Sequence, residues 1–282
     1  MSAPPKACVV GWPIEHSRSP LIHRHWLGVY GISGGYERIA VPPDQIEGFF
    51  TSLAAKGYVG CNVTVPYKET AYRLLARADP MAERLKAANT LWLSEGLLCG
   101  ANTDVHGFIA NMDGTAPGWR EAGGPAVVLG AGGAARAILA GLADLKLSPL
   151  RIVNRTPDRA RALVADLALD AEIFDWDDRA RALEGARLLV NATILGMRGA
   201  EPLILDLAPL DPDAIVSDIV YVPLMTELLA AARARGHRTV DGLGMLLHQA
   251  APGFARWFGR WPEVTDELRE LLRRDIEGGE GG

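Results

Sequence analysis

Short apolar runs alternate with stretches of helical spacing along most of the chain. Residues 7–10, 36–41 and 60–65 are brief, rich in β-branched and aromatic side chains, and bounded by Gly, Pro or Ser, so they read as strands. Between them the pattern predicts a helix opening at Ser19-Pro20, where Ser can cap and Pro suits the first turn. A second helix is predicted over 43–56, and a third from Pro66 through Tyr72 and Leu75. Residues 90–93 and 97–100 form a hairpin around Ser94-Glu95-Gly96, and a helix follows from Asp104. A Gly- and Pro-rich loop, 114–125, then reads as a domain boundary. Beyond it come strands at 126–129, 151–153, 188–190 and 214–218, with helices over 134–145, 157–169, 226–235 and 242–258. Repeated strand–helix alternation predicts an α/β fold built on mainly parallel sheets.

Composition narrows the class further. A chain of 282 residues suits two domains, and 49% hydrophobic with 22% charged residues is ordinary for a folded protein and excludes disorder. The net charge of -5 argues against nucleic-acid or anionic-membrane partners. Mean hydropathy is +0.08, and no apolar run of about 18 residues is present to span a bilayer. The N-terminal residues hold too short an apolar run for a signal peptide, and Cys8, Cys61 and Cys99 lack disulfide spacing. A cytoplasmic protein with reduced, buried thiols is expected. His16, His23 and His25 lack ligand spacing, so no metal is expected, and His106, His237 and His248 read as packing or surface residues. Trp257 and Trp261 are expected to pack the C-terminal helices.

Chemistry enters at residues 126–137, a strand, a glycine turn and a helix in succession. In Gly130-Ala131-Gly132-Gly133-Ala134-Ala135, Gly130 allows the tight turn and Gly132 allows backbone approach to a pyrophosphate. Ala135 is small enough for close helix–strand packing. The same turn can serve any strand–helix unit, but its context favours dinucleotide binding. At the end of the next strand, where an NAD enzyme carries an acid for the ribose, stand Asn154-Arg155-Thr156, with Arg159 a turn later. Guanidinium groups there fit a 2′-phosphate and hence NADP(H), unless they are ordinary surface arginines.

Three polar clusters mark the first half at strand ends. Residues 11–20 contain Ser17 and Ser19, which suit a carboxylate, although Ser19 can equally cap a helix. In Asn62-Val63-Thr64-Val65-Pro66-Tyr67-Lys68, a cation stands in the first turn of a helix, where the macrodipole disfavours it. Ala88-Asn89-Thr90 and Asn102-Thr103-Asp104 supply an amide and a carboxylate, Asp104 also being able to cap a helix.

Together these segments resemble the shikimate dehydrogenase family. Residues 11–20 are similar to its G-x-P-I-x-H-S-x-S-P signature and 62–68 to its N-V-T-x-P-x-K. Asn89-Thr90, Asn102-Thr103-Asp104, Gly130–Ala135 and Asn154-Arg155-Thr156 follow in family order. So do Asn191-Ala192-Thr193 with Gly196-Met197, Tyr221-Val222-Pro223 with Thr226, and Asp241–Met245 with Gln249. The likeness runs from about residue 6 to residue 270. Ile194-Leu195 after Thr193 departs from the Ser or Pro common there.

The resemblance implies NADPH-dependent reduction of 3-dehydroshikimate to shikimate, a step toward chorismate and the aromatic amino acids. It implies a substrate-binding domain, 1–105 plus 242–282, and a Rossmann-like doubly wound NADP-binding domain, 106–241, with a cleft between them. By the same likeness Lys68 and Asp104 form the catalytic pair, with the proton donor left open between them. Ser17 and Ser19 bind the carboxylate, and Thr64, Asn89, Asp104, Tyr221 and Gln249 hold the ring hydroxyls. Gly130, Ala131, Gly132, Gly133, Ala134, Asn154, Arg155, Thr156 and Arg159 hold the cofactor. Thr193, Ile219, Gly242 and Met245 line the nicotinamide side. A small-molecule partner is expected, and a homodimer is compatible with the sequence. The alternatives are a quinate/shikimate dehydrogenase using NAD, which Arg155 and Arg159 oppose, and an inactive NADP-sensing module, which the retained Lys68 and Asp104 oppose.

Overall fold

The computed structural model describes residues 4–278. The first sheet uses β1 (Lys6–Gly11), β2 (Gly35–Ala40), β3 (Tyr58–Val63), β4 (Arg77–Ala78), β5 (Thr90–Ser94) and β6 (Leu97–Ala101) in the order β2-β1-β3-β5-β6-β4. β1 pairs in parallel with β2 and β3, whereas the β5–β6 hairpin adds antiparallel to β3. Helices α1 (Ser19–Val29), α2 (Ile46–Thr51), α3 (Lys68–Arg73) and α4 (Pro80–Leu85) connect the strands. Val10, Phe50, Cys61 and Leu91 bury one face, while Ala7, Val9, Tyr36 and Trp257 bury the other.

The second part begins with α5 (Asp104–Thr115) and continues β7 (Ala126–Leu129), α6 (Gly133–Asp144), β8 (Leu150–Asn154), α7 (Pro157–Leu167), β9 (Ala171–Asp175), α8 (Arg179–Leu183), β10 (Leu188–Asn191), β11 (Ile215–Asp218), α9 (Glu227–Ala234) and β12 (Arg238–Val240). Helices α10 (Leu243–Phe258) and α11 (Asp266–Gly278) end the chain. The second sheet is parallel throughout, in the order β12-β11-β10-β7-β8-β9. This is the doubly wound order, with strand succession reversing between β7 and β10. β7, β10 and β11 are buried along their whole length, as strands covered on both faces must be.

The chain divides into two compact units, Met1–Thr103 with Leu247–Leu272 and Asp104–Leu246 with Arg273–Gly282. The loop at 114–125, read from composition as a boundary, therefore lies inside the second unit. α5 explains this: a Cβ on Gly141 of α6 would stand 2.8 Å from Val105 Cγ1, so α5 packs tightly on α6. Part of the loop is a 3₁₀ turn, Trp119–Glu121, anchored where Trp119 Nε1 donates to Asp113 Oδ1 at 2.7 Å.

The helix predicted over 43–56 spans only six residues. Thr51 and Ser52 donate their hydroxyls back to the carbonyls of Glu47 and Gly48, and Gly57 then turns the chain at φ +80°. β4, α4, β9, α8, β12 and α11 are elements the apolar pattern did not disclose. Trp257 packs on the first sheet, with Nε1 donating to Leu91 O at 2.9 Å, whereas Trp261 is 59% exposed and packs no core.

Candidate active site

Strand polarity gathers the polar clusters of the first unit at one sheet end. β1 ends at Gly11, β3 ends one residue before Thr64, and the antiparallel hairpin brings the start of β5 and the end of β6 to the same side. Thr90 pairs with both Asn62 and Ala101 in register, so residues 62–64, 89–90 and 101–103 are neighbours. A Cβ on Gly11 would lie 2.6 Å from Thr64 Cγ2, so glycine lets the loop carrying Ser17 and Ser19 pass close to Thr64. Trp12 N donates to Val65 O at 3.2 Å, and Ser17 Oγ donates to Ser19 Oγ at 3.4 Å.

Lys68 is the first residue of α3, with Glu69 beside it. Tyr67 N donates to Thr64 O at 3.0 Å, and Ala88 N donates to Lys68 O at 2.9 Å. The backbone thus fixes the lysine beside both Thr64 and Asn89. Asn89 is 2% exposed, and its Oδ1 accepts from Thr103 N at 2.9 Å and lies 3.1 Å from the hydroxyls of Thr90 and Thr103. Thr103 Oγ1 also donates to Gln249 O at 2.8 Å, which ties α10 to this network. Asp104 follows directly, opens α5 and is buried.

In the second unit the glycine turn stands at the reversal point of the sheet. Gly130 has φ +106°, a conformation side chains rarely adopt, and its Cβ would lie 3.0 Å from Thr193 Cγ2 after β10. Gly132 is the N-cap of α6, without a side-chain cap, and no acid occupies the first turn. A Cβ on Gly132 or Gly133 would meet nothing within 4 Å. An open turn and uncapped N–H groups at the start of a 12-residue helix form a cradle that fits a pyrophosphate.

The arginines after β8 fit the same ligand. Asn154 Nδ2 donates to Thr156 O at 2.7 Å and shapes the loop. Arg155 and Arg159 are exposed, and among the described residues neither enters an ion pair. Arg161 is different, since Asp158 takes it at 2.5 Å. Asp158, one residue before Arg159, thus pairs with Arg161.

Buried polar groups hold the other strand ends. Asn191 Oδ1 accepts from Thr193 N at 3.1 Å and Oγ1 at 2.7 Å, while its Nδ2 donates to Asp218 Oδ1 at 2.9 Å. Asp218 also accepts from Val220 N at 3.0 Å and Thr226 Oγ1 at 2.7 Å. Burial pushes the Asp218 pKa up to about 6 against these bonds. Gly242 is a close approach, its Cβ falling 2.1 Å from Ile219 O, so Ile219 and Gly242 are neighbours. Asn111 Nδ2 donates to Asp241 O at 2.7 Å just before them.

Of the expected residues, Ser17, Ser19, Thr64, Lys68, Asn89 and Gln249 lie in the first unit. Asp104, Tyr221, Thr193, Ile219, Gly242, Met245 and the residues of the glycine turn and arginine loop lie in the second. Sequence reasoning passed over Tyr36 and Asp218. A buried tyrosine in a strand looks like core, and an aspartate ending a strand looks like a turn residue. Among the described residues no cluster could hold a metal ion, and no helix is long and apolar enough to cross a membrane.

The family model for the shikimate dehydrogenase substrate binding domain matches residues 9–91. A shikimate dehydrogenase (NADP(+)) of Methylocella silvestris is 55% identical over 276 residues, covering 98% of both chains. The solved shikimate 5-dehydrogenase of Thermus thermophilus, in complex with NADP(H) and shikimate, matches with a TM-score of 0.84 at 36% identity, covering 96% of this chain and 99% of its own. Quinate dehydrogenase of Corynebacterium glutamicum, in complex with NAD, matches with a TM-score of 0.86 at 29% identity, covering 95% and 98%. Identity above one half across nearly the full length joins a matching fold and an ordered set of motifs, and the chain belongs to the shikimate dehydrogenase family.

Proposed function

We infer that this protein is an NADP-dependent shikimate dehydrogenase, reducing the ketone of 3-dehydroshikimate with NADPH and a proton to give shikimate and NADP+. Bound NADPH supplies the hydride. The observation that carries the reading is the gathering of Ser17, Ser19, Thr64, Lys68 and Asn89 at one end of the first sheet, with Gln249 tied to it through Thr103. The first unit is assigned to the substrate and the second to the cofactor.

In this reading Ser17 and Ser19 take the carboxylate, and Thr64, Asn89, Tyr221 and Gln249 take the ring hydroxyls. As hydride reaches the carbonyl carbon, negative charge grows on oxygen, and Lys68 stabilises it. Asp104 orients Lys68 and shares the proton task with it. Arg155 and Arg159 grip the 2′-phosphate, with Thr156 at the loop, and the 130–134 turn holds the pyrophosphate. Thr193, Ile219, Gly242 and Met245 border the nicotinamide. Buried free Cys8, Cys61 and Cys99 support a cytoplasmic location. The homodimer is tested by light scattering of the purified protein.

The experiment is isotope transfer from NADPH deuterated at the transferable position. Product shikimate should carry one deuterium at the carbon that was the ketone. Unlabelled product, or none, would remove the assignment.

A further inference from the structure

We propose that Tyr36 is a positioning residue for substrate recognition, acting through Asn62 on the amide of Asn89. The inference rests on the reading of Asn89 as a substrate ligand.

Tyr36 is 2% exposed, in a strand whose other side chains are mostly open. Its ring stacks on His23 at 3.9 Å with an interplanar angle of 9°, and Trp257 lies 5.9 Å away. Held by these two rings, the tyrosine keeps its hydroxyl at a fixed point. That hydroxyl donates to Asn62 Oδ1 at 2.6 Å. An amide oxygen only accepts, so the phenol supplies the proton and selects one of the two orientations open to Asn62.

The selection propagates. With Oδ1 facing Tyr36, Asn62 Nδ2 donates to Asn89 O at 3.2 Å and to Thr90 Oγ1 at 3.1 Å. Flipped, Asn62 would set its oxygen against the Asn89 carbonyl, acceptor against acceptor. Thr90 Oγ1, which accepts from Asn62, donates in turn to Asn89 Oδ1 at 3.1 Å. Thr103 N donates to the same oxygen at 2.9 Å. Asn89 Oδ1 is therefore committed inward, and the side chain turns its N–H donors the other way. Burial holds Tyr36 well above the usual phenol pKa, which keeps it a donor.

The test is steady-state kinetics on the native enzyme, Tyr36→Phe, Asn89→Ala and the double variant, with melting curves for each. Phe keeps the stack on His23 and loses only the hydroxyl. Tyr36→Phe should raise KM for 3-dehydroshikimate about 5- to 10-fold, the value of one lost orienting hydrogen bond, with KM for NADPH unchanged. In the Asn89→Ala background the same change should add less than about 2-fold, because the two act in series. Asn62→Ser, which leaves Tyr36 in place and removes the amide, should reproduce the KM rise. A native KM in Tyr36→Phe beside a raised KM in Asn89→Ala would overturn the inference alone. So would equal, multiplying effects in the two backgrounds, which would make the phenol merely structural. A native KM in Asn89→Ala would overturn the ligand assignment and the inference with it.

Discussion

His23 should make the first unit acid-sensitive, and the size of the effect follows from its surroundings. The side chain has no exposed surface and is enclosed by Tyr36, Trp26, Phe254 and Trp257. Neither ring nitrogen has a hydrogen-bond partner among the described residues. Burial pushes its pKa down to about 3 from the ordinary 6.5, against a smaller opposing pull from Asn62. Between those values the folded chain binds fewer protons than the unfolded chain, so stability rises with pH. The contribution is complete above pH 6.5 and is lost progressively as pH falls toward 3. At pH 5 the fold keeps His23 neutral while the unfolded chain is almost fully protonated there, a loss of about 2 kcal/mol relative to pH 8.

His23→Leu removes the titration. Its constant offset combines the relief of two unpartnered nitrogens, about 1–3 kcal/mol, with the loss of ring stacking, about 0.5–1.5 kcal/mol. The pH dependence separates from that offset. Urea unfolding followed by circular dichroism at pH 8 and pH 5 should therefore show the native protein losing about 2 kcal/mol more than the variant. Equal losses would refute the reasoning, since every other titrating group is common to both.

Three further outcomes are expected. Replacing Arg155 and Arg159 with Ala should weaken NADPH binding about 10-fold or more per lost charge-assisted contact, leaving NADH nearly unchanged, and equal losses would make the arginines structural. Lys68→Met should lower kcat by about 10²- to 10⁴-fold with a smaller change in KM. Near-native turnover in a folded Lys68→Met protein would remove Lys68 from the chemistry. Asp218 has the opposite linkage to His23: with its pKa raised to about 6 from 3.8, the fold binds the extra proton. Stability from this group thus falls by about 2.4 kcal/mol as pH rises from 4 to 7, and Asp218→Asn should abolish that slope in urea titrations. A slope that survives the substitution would assign it elsewhere.

The fold class was legible because buried parallel strands such as Ala126–Leu129 and Leu188–Asn191 are continuous apolar runs between helical segments. Short or edge elements were not. β4 has two residues, and Ala171–Asp175 alternates too weakly to stand out at the rim of its sheet. α4 did carry a signal, since Asp79 before Pro80 caps it by accepting from Ala82 N at 2.6 Å. The candidate ligands were legible because Ser, Asn, Lys and Asp at strand ends are conspicuous. Their supports were not, because Tyr36 and Asp218 act through bonds to residues distant in sequence. Only the pairing of β5 with β3 makes Asn62 and Thr90 neighbours. Composition pointed to the loop at 114–125 as a boundary because it does not show that α5 packs on α6 at Gly141, which puts the loop inside the second unit.

The proposed reaction is a hydride transfer from NADPH to the ketone of 3-dehydroshikimate, with the 2′-phosphate read by Arg155 and Arg159. It is tested most directly by kcat/KM for the purified protein across 3-dehydroshikimate and 3-dehydroquinate, each with NADPH and NADH. 3-Dehydroshikimate with NADPH should exceed every other combination, and NADPH should exceed NADH by at least about 10-fold, the value of one charge-assisted contact. A preference for NADH, or for 3-dehydroquinate, would contradict it.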